Sequence, residues 1–264
     1  ACREGYEAVV SQLIEAEGNV DARDKYGNTA LMEACKGGYD TVVWQLIEAG
    51  ADVNTGLRIA CEKGNESIVA QLLGAGAAVN AMDYWRETPL MYACEKGHDT
   101  VVTQLIEAGA DVHVVSNDGH TALMYASWQG HETIFTQLLE AEFDVNRTNK
   151  RGETALMMAC AEGNETIVTQ LLEAGADVNV KNSNSRTAYD YAVDRGHASL
   201  ANRVIALESV GIRANRIARE TGRALGNPAV LTALAGITPR PSHRLPHLGH
   251  LTPIHRPGRR PRTI

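Results

Sequence analysis

The stretch of the chain that decides its fold is Thr88-Pro89-Leu90-Met91-Tyr92-Ala93-Cys94-Glu95-Lys96-Gly97-His98. The threonine hydroxyl can cap a helix, and the proline that follows takes the first helical position, where no backbone donor is lost. Leu90, Ala93 and Cys94 have the spacing of one helix face, which predicts that they are buried. Gly97 can adopt the left-handed conformation that ends a helix. The stretch therefore predicts a short helix with one buried side.

A second helix is predicted directly after the first. Asp99 suits the positive end of a helix dipole, and Gly109 can end the helix. The apolar stripe between them consists of Val101, Val102, Leu105 and Ile106. Residues 83–87, which precede the first helix, are too few and too polar for a helix of their own. We therefore expect a helix–turn–helix unit that begins with a projecting turn.

This pattern recurs along the chain. The glycines that end the first helix of each unit are Gly5, Gly38, Gly64, Gly97, Gly130, Gly163 and Gly196. Their spacing is 33 residues, except for the step of 26 between the second and third, so the third unit has lost seven residues. One unit cannot bury its own apolar face, whereas stacked units can. The periodicity therefore predicts a solenoid of stacked helix pairs.

The unit resembles the ankyrin repeat. Residues 88–98 are similar to the family motif T-P-L-H-x-A-A-x-x-G-H, and Glu107-Ala108-Gly109-Ala110-Asp111-Val112 is similar to its G-A-D-V-N ending. The resemblance covers residues 1 to about 206. It implies an all-α solenoid of about seven helix–turn–helix repeats with short β-hairpin fingers. It also implies that a partner protein binds the fingers and the exposed face of each first helix.

The expected domain boundaries follow the repeat. The seven units are a partial repeat at 1–23, repeats at 24–56, 82–114, 115–147 and 148–180, a shortened repeat at 57–81 and a capping repeat at 181–206. The first unit begins within a helix, so we expect the chain to be part of a longer protein. The shortened unit has two interpretations: either the array lacks one finger, or the recorded sequence skips a segment.

Charge separates the repeats from the C-terminal region. Residues 1–206 contain 15 Lys and Arg against 30 Asp and Glu, whereas residues 207–264 contain 10 Arg against two Glu. An acidic body repels nucleic acid, so only the tail could bind it. Residues 207–236 are a possible helical extension, which could lie against the acidic repeats or contact an anionic membrane. Residues 237–264 are basic and rich in proline, and we expect them to be disordered or the product of a shifted reading frame.

Five cysteines share one repeat position, and we interpret them as small core residues. They are Cys2, Cys35, Cys61, Cys94 and Cys160. Successive units would place them about 10 Å apart, beyond the limit of about 7 Å for the Cα atoms of a disulfide. Unpaired thiols favour an intracellular location, in the cytoplasm or the nucleus. The chain contains no catalytic, cofactor or metal-binding motif, so we predict no enzyme activity, no cofactor and no metal site.

Aromatic residues provide the candidate binding surface. Of 13 aromatic residues, five fall in the fourth and fifth units at positions that we expect to be exposed. Exposed aromatic side chains are typical of interface hot spots. The alternative is that they pack on each other and stiffen the groove. The candidate partner-binding residues are Tyr84, Trp85, Tyr92, Tyr125 and Trp128, with Arg86, Glu95, His120, Lys150 and Arg151 around them.

These observations predict a protein-interaction scaffold or adaptor. Its partner would be another protein, bound in the concave groove and at the finger tips by a monomeric array. One alternative is an anchoring module whose basic tail binds nucleic acid or an anionic membrane. Another is that the array recruits the substrate of a larger enzyme.

Overall fold

The computed structural model describes residues 1–2, 5–141 and 144–206. All of them belong to the first of the two units into which the chain divides, Ala1–Ser209. The possible helical extension at 207–236 and the predicted disordered tail at 237–264 lie outside the described residues.

The described part of the chain is a two-layer stack of short helices. The helices are α1 (Glu7–Glu15), α2 (Ala30–Gly37), α3 (Asp40–Glu48), α4 (Asn54–Lys63), α5 (Glu66–Gly74), α6 (Pro89–Lys96), α7 (Asp99–Glu107), α8 (Ala122–Gln129), α9 (Glu132–Leu139), α10 (Ala155–Glu162), α11 (Glu165–Glu173) and α12 (Ala188–Asp194), and residues 198–206 are also helical. The even-numbered helices contact one another in sequence and form one layer, and α1 and the other odd-numbered helices form the second layer. This architecture confirms the predicted all-α repeat solenoid.

Four of the described first helices, α2, α6, α8 and α10, begin and end as their sequence predicts. In each of these helices a threonine hydroxyl accepts a hydrogen bond of 3.2–3.3 Å from the backbone N–H three residues later; the threonines are Thr29, Thr88, Thr121 and Thr154. In α12 the capping differs, because Asp190 accepts hydrogen bonds from both the backbone N–H and the hydroxyl of Thr187. The first helices α2, α4, α6, α8 and α10 end at left-handed glycines, as at Gly97 with φ 80°, whereas the C-cap of α12 is Arg195, one residue before Gly196.

The predicted β-hairpin fingers are not confirmed, because no residue in the described ranges belongs to a β-strand. Short turns occupy their place at residues 24–28, 83–87, 116–120, 149–153 and 182–186, and we call these the finger turns. Each is closed by a hydrogen bond from the backbone N–H of its first residue to the carbonyl of its fifth, at 2.9–3.1 Å. The shortened third unit has no finger turn, because α4 begins at Asn54, directly after the loop that follows α3.

The core runs between the two helix layers. Cys35, Cys61, Cys94 and Cys160 are buried free thiols, and Cys2 is a half-buried one. Burial raises the pKa of Cys35 and of Cys160 to about 12. Ser127 takes the same position in α8, where its hydroxyl donates to the carbonyl of Leu123 at 2.7 Å. The equivalent Val193 is exposed, since α12 packs only against α10 among the first helices described.

Candidate functional site

The finger turns are joined to one another by backbone hydrogen bonds. The N–H of Asn117 donates to the carbonyl of Trp85 at 2.7 Å, and the N–H of Lys150 donates to the carbonyl of Asp118 at 2.8 Å. The N–H of Ser183 donates to the carbonyl of Arg151 at 2.9 Å. Four consecutive turns therefore form a continuous edge, and side chains at their tips extend from a fixed backbone.

Two aromatic side chains are exposed at the tip of the turn at 83–87. Tyr84 is 86% exposed and Trp85 is 59% exposed, and their rings meet edge to face with centroids 5.8 Å apart. The Asp83 carboxylate shapes the turn by accepting bonds from the backbone N–H groups of Trp85 and Glu87, each at 2.9 Å. Arg86 is exposed in a left-handed conformation, with φ 59°. The structure therefore brings these three candidates together on an accessible tip.

Tyr125 and Tyr92 have a different environment from the one that their positions predict. The expectation that Tyr125 is exposed is wrong, because it is only 9% exposed and its hydroxyl donates to the Glu87 carboxylate of the preceding unit. Tyr92 is half-buried, and its hydroxyl donates to Asp83 at 2.7 Å. Burial and the neighbouring carboxylates raise the pKa of both phenols. Both tyrosines therefore brace a first helix against a finger turn. This resembles the alternative interpretation, in which the aromatic residues stiffen the groove, although the two phenols bond to carboxylates and do not pack on each other.

Trp128 lies on the open face of α8, apart from the tip aromatics. It is 43% exposed, and its indole N–H donates to the Glu162 carboxylate at 3.3 Å. It borders a cavity of about 650 Å³ that extends from α8 to α12. The lining of the cavity also includes the side chains of Met158 and Tyr191 and the charged residues Arg151, Arg186 and Arg195.

The remaining candidates occupy separate places along the face. His120 stacks on Tyr125 with ring centroids 5.5 Å apart, and burial lowers the pKa of its imidazole. Glu95 forms an ion pair with Lys96 at 2.9 Å, and Lys150 is exposed on its finger turn. His120 and Arg151 both line the cavity beside Trp128. Six of the candidates thus form two groups, a tip patch of Tyr84, Trp85 and Arg86 and a cavity group of His120, Trp128 and Arg151.

One carboxylate beneath the cavity is held by several donors. Glu153 is buried, and it accepts hydrogen bonds from Tyr191 at 2.6 Å and Asn149 at 2.9 Å and an ion pair from Arg151 at 3.1 Å. Burial alone would raise the pKa of Glu153, but the bonds from Tyr191 and Asn149 and the charge of Arg151 hold it below its ordinary value. The group therefore stays ionised and anchors α12 to the preceding finger turn.

The C-terminal wall of this cavity was not predicted from the sequence. Arg186, Tyr191 and Arg195 were not among the candidate residues, because 181–206 was interpreted only as a cap, and Met158 of the preceding repeat was not among them either. A usable signal was present: Tyr92, Tyr125, Met158 and Tyr191 occupy one repeat position, and methionine interrupts the column of tyrosines.

Neither a metal site nor a membrane span is found where the structure describes the chain. No three histidine, cysteine or acidic side chains in residues 1–2, 5–141 and 144–206 are placed to share a metal ion. Within the same ranges, no helix combines the length and the apolar character needed to cross a bilayer.

Comparison with known families agrees with the helix pattern. The family model described as "Ankyrin repeats (3 copies)" matches residues 1–56, 57–149 and 137–216. No curated protein matches the chain. Because the family matches extend over most of the chain, and the described helices stack as repeated pairs, the chain belongs to the ankyrin repeat family.

Proposed function

We propose that this chain is a protein-interaction module, a scaffold or adaptor that binds a partner protein through its finger turns and the exposed face of its first helices. Ankyrin repeats generally mediate protein–protein interaction. The observation that carries the proposal is the exposed Tyr84–Trp85 pair, because a solvated aromatic pair has no role in the core. Large aromatic side chains supply much of the binding energy at protein interfaces.

Rigidity supports the same function. The tip aromatics extend from turns that are hydrogen-bonded to one another, and Tyr92 and Tyr125 brace the helices behind them. A surface that is already ordered avoids part of the entropy cost of binding. The proposed contact residues are therefore the tip patch of Tyr84, Trp85 and Arg86 and the group around Trp128, with Glu95 and Lys150 at the rim.

We further propose that the array has seven units with the boundaries inferred from the repeat, and that it acts as an intracellular monomer without enzyme activity. Helices α2 to α11 supply five consecutive pairs, and α12 with residues 198–206 supplies a sixth. Helix α1 is then the second helix of the partial first unit, and the unit at 181–206 closes the array.

The basic C-terminal region supports a second candidate function. Its excess of arginine suits an anchor for nucleic acid or an anionic membrane, and such binding weakens steeply as salt rises. Partner binding through the aromatic tip should instead persist at about 0.5 M salt, since it depends little on charge. An array that recruits the substrate of a larger enzyme would use the same tip.

The test is a capture experiment with the complete 264-residue chain. Proteins retained from cell extract by the parent are quantified against a Tyr84→Ala and Trp85→Ala double variant. Trp44→Ala is the matched control, because Trp44 on α3 is 55% exposed, much like Trp85, but lies in the other helix layer. We expect one protein to be lost with the double variant and kept with the control. Equal retention by all three chains would contradict the proposed site.

A further inference from the structure

The cavity beside Trp128 lies where the tyrosine column is interrupted. The hydroxyls of Tyr125 and Tyr191 each donate a hydrogen bond to the carboxylate 38 positions earlier. The acceptor is Glu87 for Tyr125 and Glu153 for Tyr191. Met158 has the equivalent place in α10 but carries no hydroxyl, and the residue 38 positions before it is His120. The brace between α10 and the turn at 116–120 is therefore missing, and space remains between helix and turn.

The walls of this space suit an aromatic ring. Met158, at 8% exposure, forms its apolar floor, with the indole of Trp128 toward α8 and the phenol of Tyr191 toward α12. Methionine sulfur and aromatic side chains both make favourable contacts with an aromatic ring. A volume of about 650 Å³ is within the usual range of ligand pockets and holds more than one side chain.

The charges of the lining favour a negatively charged occupant. Three arginines, Arg151, Arg186 and Arg195, line the cavity, although acidic residues predominate in the array as a whole. Two of these arginines already have partners, since Arg151 pairs with Glu153 at 3.1 Å and Arg186 pairs with Asp194 at 2.5 Å. The other carboxylate of the lining, Glu162, accepts a hydrogen bond from the indole of Trp128. Arg195 is exposed and forms no ion pair with any described residue. An arginine fork without a partner is well suited to bind a carboxylate.

We propose that this cavity binds an aromatic side chain flanked by carboxylates, carried on an acidic segment of the partner protein. The ring takes the place of the missing tyrosine over Met158, and a flanking carboxylate pairs with Arg195 at the rim. This inference rests on the proposed protein-binding function and names the chemistry of one part of that surface.

The test is a titration of the complete chain with a synthetic peptide in which one tyrosine is flanked on each side by two glutamates. Binding is followed through the indole N–H resonance of Trp128 in an NMR spectrum, assigned with Trp128→Phe. The decisive variant is Met158→Tyr, which fills the cavity as Tyr125 and Tyr191 fill the adjacent units. Met82→Tyr is the control, because Met82 is exposed and does not line the cavity.

We expect saturable shifts of the Trp128 resonance with the parent and with Met82→Tyr. Met158→Tyr should weaken binding by about tenfold or more, and alanine in place of the peptide's tyrosine should do the same. If Met158→Tyr unfolds, Arg195→Gln replaces it, with binding expected to weaken by about threefold to tenfold. The proposal is overturned if the parent shows no shift at about 1 mM peptide, if the cavity variants bind as tightly as the parent, or if the alanine peptide binds equally.

The result is separable from that of the capture experiment. One combined outcome is that the Tyr84 and Trp85 variants lose a partner while the peptide fails to bind. That combination would support the protein-binding function and contradict only the proposed ligand of the cavity. Peptide binding without any effect of the tip variants would support the cavity as a binding site and contradict the proposed role of Tyr84 and Trp85.

Discussion

The contribution of close packing between finger turns to the free energy of unfolding can be measured with two alanine substitutions, Gly119→Ala and Gly27→Ala, at equivalent positions. Gly119 and Gly27 have nearly equal backbone conformations, with φ 82° and 83°. A Cβ on Gly119 would lie 3.0 Å from the Cα of Asn149 and from the backbone nitrogen of Lys150, which belong to the next turn. A Cβ on Gly27 would meet nothing within 4 Å, because the shortened third unit has no finger turn to pack against it.

Both alanine variants carry one shared cost, and Gly119→Ala carries a second. The left-handed conformation costs alanine about 1–2 kcal/mol, and the reduced entropy of the unfolded chain returns about 0.4–1 kcal/mol. We therefore expect Gly27→Ala to lower the free energy of unfolding by about 1 kcal/mol. Gly119→Ala adds an overpacking cost of about 1–3 kcal/mol, because the hydrogen bond from Lys150 to Asp118 holds the opposing backbone in place.

The assay is urea unfolding followed by far-UV ellipticity, with equal denaturant slopes required before free energies are compared. A loss for Gly119→Ala that exceeds the loss for Gly27→Ala by about 1–3 kcal/mol would support the packing argument. Equal losses would refute it. They would mean that the turn relaxes toward the smaller φ of 59° that Arg86 adopts at the equivalent position, without strain on the next turn.

Three further predictions concern the braces and the core. Tyr125→Phe should lower the free energy of unfolding in urea by about 1–3 kcal/mol, because the Glu87 carboxylate loses its donor. The pKa of Glu153 is held low in the fold, partly by Tyr191. The ionised carboxylate therefore stabilises the fold at any pH above its unfolded-state pKa, and this stabilisation is lost as the pH falls through the folded-state pKa. Glu153→Gln should therefore lose less unfolding free energy between about pH 6 and about pH 3 than the parent; an identical loss would contradict this. Cys94 should resist alkylation, measured by mass spectrometry, until urea unfolds the chain, because burial raises its thiol pKa and blocks access; fast labelling of the folded chain would contradict its burial.

The local structure was largely predictable from sequence, because each signal acts within a few residues. A threonine hydroxyl reaches an N–H three residues away, and a glycine ends a helix at its own position. For this reason the capping at Thr88, the end of the helix at Gly97 and the burial of Cys94 follow the predictions. The missing turn in the third unit could be predicted for the same reason, since seven residues fewer leave no length for it.

The candidate site was predictable only in part, because exposure depends on residues in the next unit. Trp85 is exposed as expected, whereas Tyr125 is buried because Glu87, 38 residues earlier, accepts its hydroxyl and His120 covers its ring. Such contacts become visible only when the units are stacked, since the repeat position alone does not say which side chain of the preceding unit lies opposite.

What the sequence by itself determined is the repeat: its helix pairs, their caps and the order in which they stack, because all of these depend on spacing along one chain. Only the tertiary structure decided which aromatic side chains are free. It showed that Tyr125 spans the gap between its helix and the preceding turn, and that the shorter Met158 leaves that gap open. The physical reason is that burial and cavity shape depend on pairs of side chains from different units, and their sizes and polar groups must be complementary in space.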